Sequence, residues 1–454
     1  MTKKGIPLCL FVILFCVGIE VCAEEKTPNS RVVSEKLIAS VDYSLWIPQS
    51  LKVSPDKKAC GYVVKVGNKW SVVLDGKGGK QYDDIMPGTP IFSPDSKRVA
   101  YSARDGDKFL VVIDGKEDKR YNGIAEGTLI FSPDSKRVAY VAGEGARAFV
   151  VIDGKEDMQC KRLREGTLIV FSPDSKRVAY NGMYHRVSKV DHEEFVVIDG
   201  KKEYGIDLAL TNPIFSPDSK RVAYEARVDN RQFVFVDGKE VMALSDVFGH
   251  LLFSPDSQHI AWVNTMMVIE EDESGKELRR RHEYFVVMDG KEGKQYDGIW
   301  SLIFSTDSKR VAYAAKEGDK LFIVVDGKEE RQYDGIGEKT PIFSPDSKHM
   351  AYVAKVGNKW SVVLDEKGGK QYDDIMPGTP IFSPDSKRVA YAVREGDKFF
   401  VIIDGKEDKR YNGIGVGTLI FSPDSKRVAY VAQVGDKQFV VVDGKEAEKV
   451  GVTP

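Results

Sequence analysis

An all-β fold of successive four-stranded sheets, a β-propeller, is the class this 454-residue sequence predicts, and three observations carry that reading. Ser-Pro-Asp recurs in ten copies, once as Ser-Thr-Asp, with its serines at 54, 93, 132, 172, 216, 254, 305, 344, 383 and 422, and seven of the nine intervals lie between 38 and 40 residues. An apolar run ending in Asp-Gly, once Asp365-Glu366, follows each serine at a spacing of 21 residues in eight copies. No segment keeps the 3.6-residue apolar period of a helix, which sets helical and leucine-rich repeats aside.

The copy from Gly88 to Ile124 shows how each element is specified. Thr89-Pro90-Ile91-Phe92 is a short apolar strand, closed by Ser93-Pro94-Asp95-Ser96, where Pro presets φ and the Asp and Ser side chains bond nearby backbone. Arg98 to Ala103 is β-branched and aromatic, and Asp105-Gly106-Asp107 breaks it. Phe109 to Ile113 is five successive apolar residues, so both faces of that strand must be covered. Lys116 to Tyr121 is mostly charged, which suits an exposed edge, and Asn122-Gly123 ends the unit. A parallel β-helix is the structural rival, but its coils are shorter and lack this four-strand punctuation.

Copies one to three nearly match copies eight to ten: Lys65–Arg104 and Lys355–Arg394 differ at very few positions. The absence of a linker between any two copies favours one ring of about ten blades; seven blades plus three, or two five-bladed rings, are the alternatives. The domain reading is a signal segment over 1–23, an N-terminal arm over 24–45 and the propeller over 46–454. Arg31 to Ser40 is expected either to add a ring-closing strand to the last blade or to lie over the first.

Lys3 and Lys4, an apolar run from Leu8 to Ile19 and the Val21-Cys22-Ala23 sequence predict export, with cleavage before Glu24. Glu20 stops the run short of the roughly 20 apolar residues that span a bilayer. A periplasmic or secreted protein is therefore expected, with a lipid anchor on Cys22 as the alternative. Only Cys60 and Cys160 would remain after cleavage, so a disulfide framework is not expected. Lys and Arg number 67 against 69 Asp and Glu, a balance that offers no broad electrostatic footprint for nucleic acid.

The Phe-Ser-Pro-Asp-x-Lys-Arg-Val-Ala-Tyr core resembles the WD-like repeat of the TolB type, also found in propellers attached to prolyl-oligopeptidase-like enzymes. The resemblance covers roughly Leu51 to Val450. It departs from the family after Pro-Asp, where family members usually carry Gly and this chain has Ser or Lys, and at Thr306 and Glu366. Neither TolB's separate α/β domain nor a hydrolase domain with a Gly-x-Ser-x-Gly elbow accompanies it. The resemblance thus implies an architecture, and a protein partner in a cell-envelope complex, without an activity.

Two copies break the period by adding chain between their second and third strands, Asn181 to Glu194 and Asn264 to Glu283. Function concentrates on such loops above a rigid scaffold. Methionine, arginine, tryptophan and nearby aromatics are common contact residues, so Met266, Met267, Arg279, Arg280 and Trp300, with Tyr184 and His185 of the other insertion, are the candidate partner-binding residues. The plain alternative is that the methionines prolong a strand and the charges are solvated. His192 and His282 occupy equivalent places, but neither has a second His or a Cys beside it, so no metal, cofactor or catalytic set is assigned. The expected function is a non-enzymatic scaffold for a protein or peptide. The alternatives are a multivalent ligand or carbohydrate binder, using the recurrent Tyr-Asp/Asn-Gly-Ile at Tyr121, Tyr296, Tyr333 and Tyr411, and a propeller hydrolase or lyase with a central site.

Overall fold

The computed structural model describes residues 47–446, apart from 146, 161–167, 186–191, 204–207, 210, 230, 245–250, 272–276 and 436. The signal segment, the arm and the Arg31–Ser40 strand lie outside the described residues. Apart from one 3-10 turn at Pro48–Ser50, the named elements are all strands. They form ten four-stranded antiparallel sheets of propeller-blade form, one per repeat, as the period predicts.

In the second repeat the strands are Ile91–Phe92, Val99–Asp105, Lys108–Ile113 and Lys116–Glu117, hydrogen-bonded in that order. The charged fourth strand is shorter than the sequence predicts: after Glu117 only an isolated bridge, Phe109 to Tyr121, continues it. The chain then passes directly to the next sheet. Gly123 pairs with Gly143 and Ile124 with Ala142, so the predicted end of one repeat is the first piece of the following sheet's edge.

Two turns at one end of each sheet explain the residue pattern. Asp114 and Gly115 hold φ of 52° and 77°, the paired left-handed conformation of a two-residue hairpin turn, which Asp-Gly adopts readily. The Asp114 carboxylate then accepts the Val99 N–H at 3.0 Å and the Arg98 Nε–H at 2.8 Å. In the other turn, Ser93 Oγ donates to Asp95 Oδ1 at 2.7 Å and accepts the Arg98 N–H, closing the loop on itself. Antiparallel order places both turns at the same end, and the loops after the second and fourth strands at the opposite end.

The chain divides into two compact units, residues 1–191 and 192–454. In the first, Val63, Val72 and Tyr82 of the first sheet pack on Tyr101, Leu110 and Val112 of the second, whose other face packs Ala100 and Val111 on Val138, Tyr140 and Val151 of the third. Leu110, Val111 and Val112 are consequently all buried, as a strand covered on both faces requires. In the second unit the same interleaving links the fifth sheet successively to the tenth. Each fully covered aliphatic side chain contributes roughly 1.5–3 kcal/mol, so stability is distributed along the stack.

Tyrosines at the junctions add geometry. Tyr121 meets Tyr140 edge to face at 6.3 Å between centroids, and Tyr140 Oη donates to Asp118 Oδ2 at 2.9 Å. Tyr411, Tyr430 and Asp408 repeat the arrangement. Tyr121, Tyr296, Tyr333 and Tyr411, the tyrosines of the recurrent Tyr-Asp/Asn-Gly-Ile, are all buried in such pairs.

Candidate functional site

The second strand of most repeats is seven residues long and the third six, but in the sixth repeat they run Ile260–Glu271 and Glu277–Met288, twelve residues each. The inserted chain therefore prolongs both strands into a hairpin, carried beyond its neighbours by about 16 Å at roughly 3.3 Å per residue. Register fixes what it presents. Met267 lies opposite His282 and Ile269 opposite Arg280, so these four residues share one face. All four are exposed, Met267 by 43% and Ile269 by 46%.

The other face turns inward. Met266 lies opposite Glu283, packs against a cluster formed by Trp262, Phe285 and Val287 of its own sheet with Ala223, Val234 and Val236 of the fifth, and is half-buried there. Arg281 Nη2 is 2.8 Å from Glu283 Oε1 on the same face. The two adjacent methionines thus have opposite roles, with Met266 anchoring the hairpin and Met267 displayed by it.

Trp300 lies in the strand Gly298–Phe304, opposite Ala314, and packs half-buried on Ala312, Ala314, Ile323 and Tyr352 between the seventh and eighth sheets. It is part of the wall between blades. Arg279 lies opposite Glu270 on the hairpin, and its side chain is outside the described residues. Tyr184 and His185 end the strand Val178–His185, and their side chains, that of His192 and the loop 186–191 are likewise outside them.

Two other histidines have structural posts. His259 Nδ1 lies 2.6 Å from Asp289 Oδ2 and His349 Nδ1 lies 2.7 Å from Asp365 Oδ2, replacing the Arg-to-Asp contact that closes the other turns. Among the described residues no group of three His, Cys, Asp or Glu side chains is placed to hold a metal ion. The turn-bearing end is highly charged: Lys97 and Lys136 are exposed, each beside an aspartate of its own turn. Between the second and third sheets Met86, Thr89, Ile91, Ser102, Ile124 and Leu129 line a small, open pocket.

Sequence reasoning missed Glu225. It occupies the second strand of the fifth repeat, where other copies carry Ser102, Val141, Ala314 or Val353, and it is only 2% exposed. Its backbone N–H donates to Thr211 Oγ1 at 3.0 Å, while its carboxyl Oε2 is buried with no hydrogen-bond partner. Burial pushes this carboxyl up to about 7. The signal was present in the alignment of the copies, as the one acidic residue in a column that otherwise holds Val, Ala and Ser, with Asn181 in the fourth copy.

No protein-family model matches the chain, and no characterised protein matches it in sequence. Its fold is similar to solved structures at low identity. A eukaryotic initiation factor is 14% identical over 78% of this chain and 95% of its own, with a TM-score of 0.41. The β-propeller domain of the trilobed protease from Pyrococcus furiosus is 16% identical over 62% and 97%, with a TM-score of 0.28. TolB from Acinetobacter baumannii is 15% identical over 68% and 77%, with a TM-score of 0.23.

Proposed function

We propose that this protein is an exported, non-catalytic scaffold that captures a protein partner on the prolonged hairpin of its sixth repeat. One observation carries the reading. The only described hairpin with twelve-residue strands displays two apolar side chains, Met267 and Ile269, on the same outward face as Arg280 and His282. Methionine adapts to irregular apolar surfaces, and arginine beside it selects a partner that offers a carboxylate. The fitting occupant is a protein segment combining apolar and acidic side chains. A rigid stack of sheets beneath the hairpin keeps its ordering cost low.

Photo-crosslinking in the native cell tests the reading, with a crosslinker placed at Met267 and, on the turn-bearing end, at Lys97. The expected outcome is one dominant protein adduct from position 267 whose crosslinked segment is apolar and acidic. An adduct formed from position 97 and not from 267 would overturn the proposal.

A further inference from the structure

Among the described residues, the junction beneath the hairpin is the one place where buried polar groups accumulate without matching partners. Glu225 lies opposite Val234 in the fifth sheet, and Arg227, two residues on and on the same face, lies opposite Gln232. Val234 belongs to the cluster shared with the sixth sheet, so Glu225 and Gln232 point toward that sheet. Four buried atoms there make no hydrogen bond: Glu225 Oε2, Gln232 Oε1 and, in the facing sheet, Trp262 Nε1 and the Nε of Arg281, whose guanidinium is held through Nη2 by Glu283. Asn264, next along that face, is engaged, its Nδ2–H directed at Met242 Sδ at 3.8 Å across the junction.

An ionised Glu225 and the Gln232 carbonyl are both acceptors, and the unmatched donors of the facing sheet, Trp262 Nε1–H and Arg281 Nε–H, lie outside hydrogen-bond distance of Glu225 Oε2 and Gln232 Oε1, so the two acceptors are costly in this apolar junction. A proton on Glu225 converts it into a donor that lies within reach of Gln232 Oε1, since the two occupy diagonal positions of one sheet face. The charged residues on the two facing surfaces are Arg227 in the fifth sheet and Arg281 and Glu283 in the sixth, with Lys239 and Glu292 at the turn-bearing end and Glu270 and Arg279 opposite each other toward the hairpin tip. Arg281 is already paired with Glu283, and burial alone accounts for the perturbed carboxyl.

We propose that Glu225 is a proton-operated latch between the fifth and sixth sheets: neutral, it holds the junction closed under the hairpin, and its ionisation, with the proton passing to water, loosens the strands that carry Met266 and Met267. The functional consequence, a hairpin better fixed in acid than at neutral pH, rests on the docking role argued above. The latch does not.

The sign of the effect follows from linkage. The carboxyl is raised in the closed junction and ordinary when exposed, so opening becomes easier as pH rises from about 4.5 to about 7 and levels off above. Amide hydrogen exchange of the full chain reads this directly. Protection factors in 260–269 and 280–288 should fall by up to about tenfold per pH unit through that window. Those of Glu225→Gln, which keeps the shape and carries a permanent donor, should stay level. Equal pH dependence in the two proteins would overturn the latch. A second readout follows the carboxyl itself: in carboxyl-labelled wild type the glutamate signal that is absent from Glu225→Gln should titrate near neutrality together with the change in protection, and a Glu225 signal that titrates in the ordinary range would also overturn it. Neither measurement involves a partner, so the latch and the docking role fail separately.

Discussion

The Ser135 hydroxyl accepts the backbone N–H of Asp95 at 2.9 Å, tying the turn of the third repeat to that of the second across forty residues of sequence. Ser135 holds φ of 67°, a left-handed conformation that an L-residue adopts at a cost and glycine adopts freely. The hydroxyl offsets that cost by matching a donor that the adjacent sheet leaves over. The same bond recurs from Asp218 to Ser257, Asp256 to Ser308, Asp307 to Ser347, Asp346 to Ser386 and Asp385 to Ser425. Lys57 takes this position in the first repeat, at φ 60°.

Substitution at Ser135 separates the two contributions. Ser135→Ala keeps the strain and loses the bond, and should destabilise by about 1 kcal/mol or more. Ser135→Gly loses the bond but relieves the strain, and should cost less. Denaturant unfolding checks both: an alanine variant as stable as wild type would contradict the role of the hydroxyl, and a glycine variant weaker than the alanine one would contradict the strain at φ 67°.

Glu366 is a natural departure of the opposite kind. It stands at φ 64° in a turn where Gly76 and Gly405 hold 78° and 77°, and it is exposed. Glu366→Gly should therefore stabilise the protein by about 1 kcal/mol, read as a higher denaturation midpoint at unchanged slope.

The turn aspartates set the acid limit. Bonds from the Ser93 hydroxyl and the Lys97 N–H hold the Asp95 carboxyl below its ordinary value, and the equivalent bonds from the Ser216 hydroxyl and the Lys220 N–H bring Asp218 down to about 2. A depressed carboxyl contributes stability that is present above the ordinary value of 3.8 and lost as pH falls through the folded one. Melting temperatures should drop steeply between about pH 4 and pH 2, and Ser216→Ala should reduce that drop. A melt insensitive to pH in that range would show that the turns do not depend on these carboxylates.

The sheet count and strand order were legible because turn residues punctuate every copy. Asp-Gly, Pro and the serines mark chain reversals whose geometry is local, and the uninterrupted run Phe109 to Ile113 announced burial on both faces. What escaped depends on partners that local pattern does not name. Ile124 reads as the close of one repeat but pairs with Ala142 of the next. Met266 and Met267 are one residue apart, and only the register with Glu283 and His282 decides which faces outward. Trp300 reads as a surface contact because it falls in the loop expected between the fourth and first strands near the insertion, yet Ala312 and Ala314 leave room for it between sheets. Glu225 was visible as a departure within its column, but a single acid acquires meaning only with its burial and unmatched oxygen.

The docking hairpin is tested most directly by the dissociation constant of the crosslinked partner, once purified, for wild type and for a variant in which Met267, Ile269, Arg280 and His282 are all replaced by serine. These side chains are exposed, so the variant should melt as wild type does while its affinity falls at least about thirtyfold, the effect of losing one or two interface anchors. Lys97→Ser with Lys136→Ser, on the turn-bearing end, should bind normally. Full affinity in the hairpin variant together with lost affinity in the lysine variant would contradict the account and move the docking surface to the opposite end of the sheets.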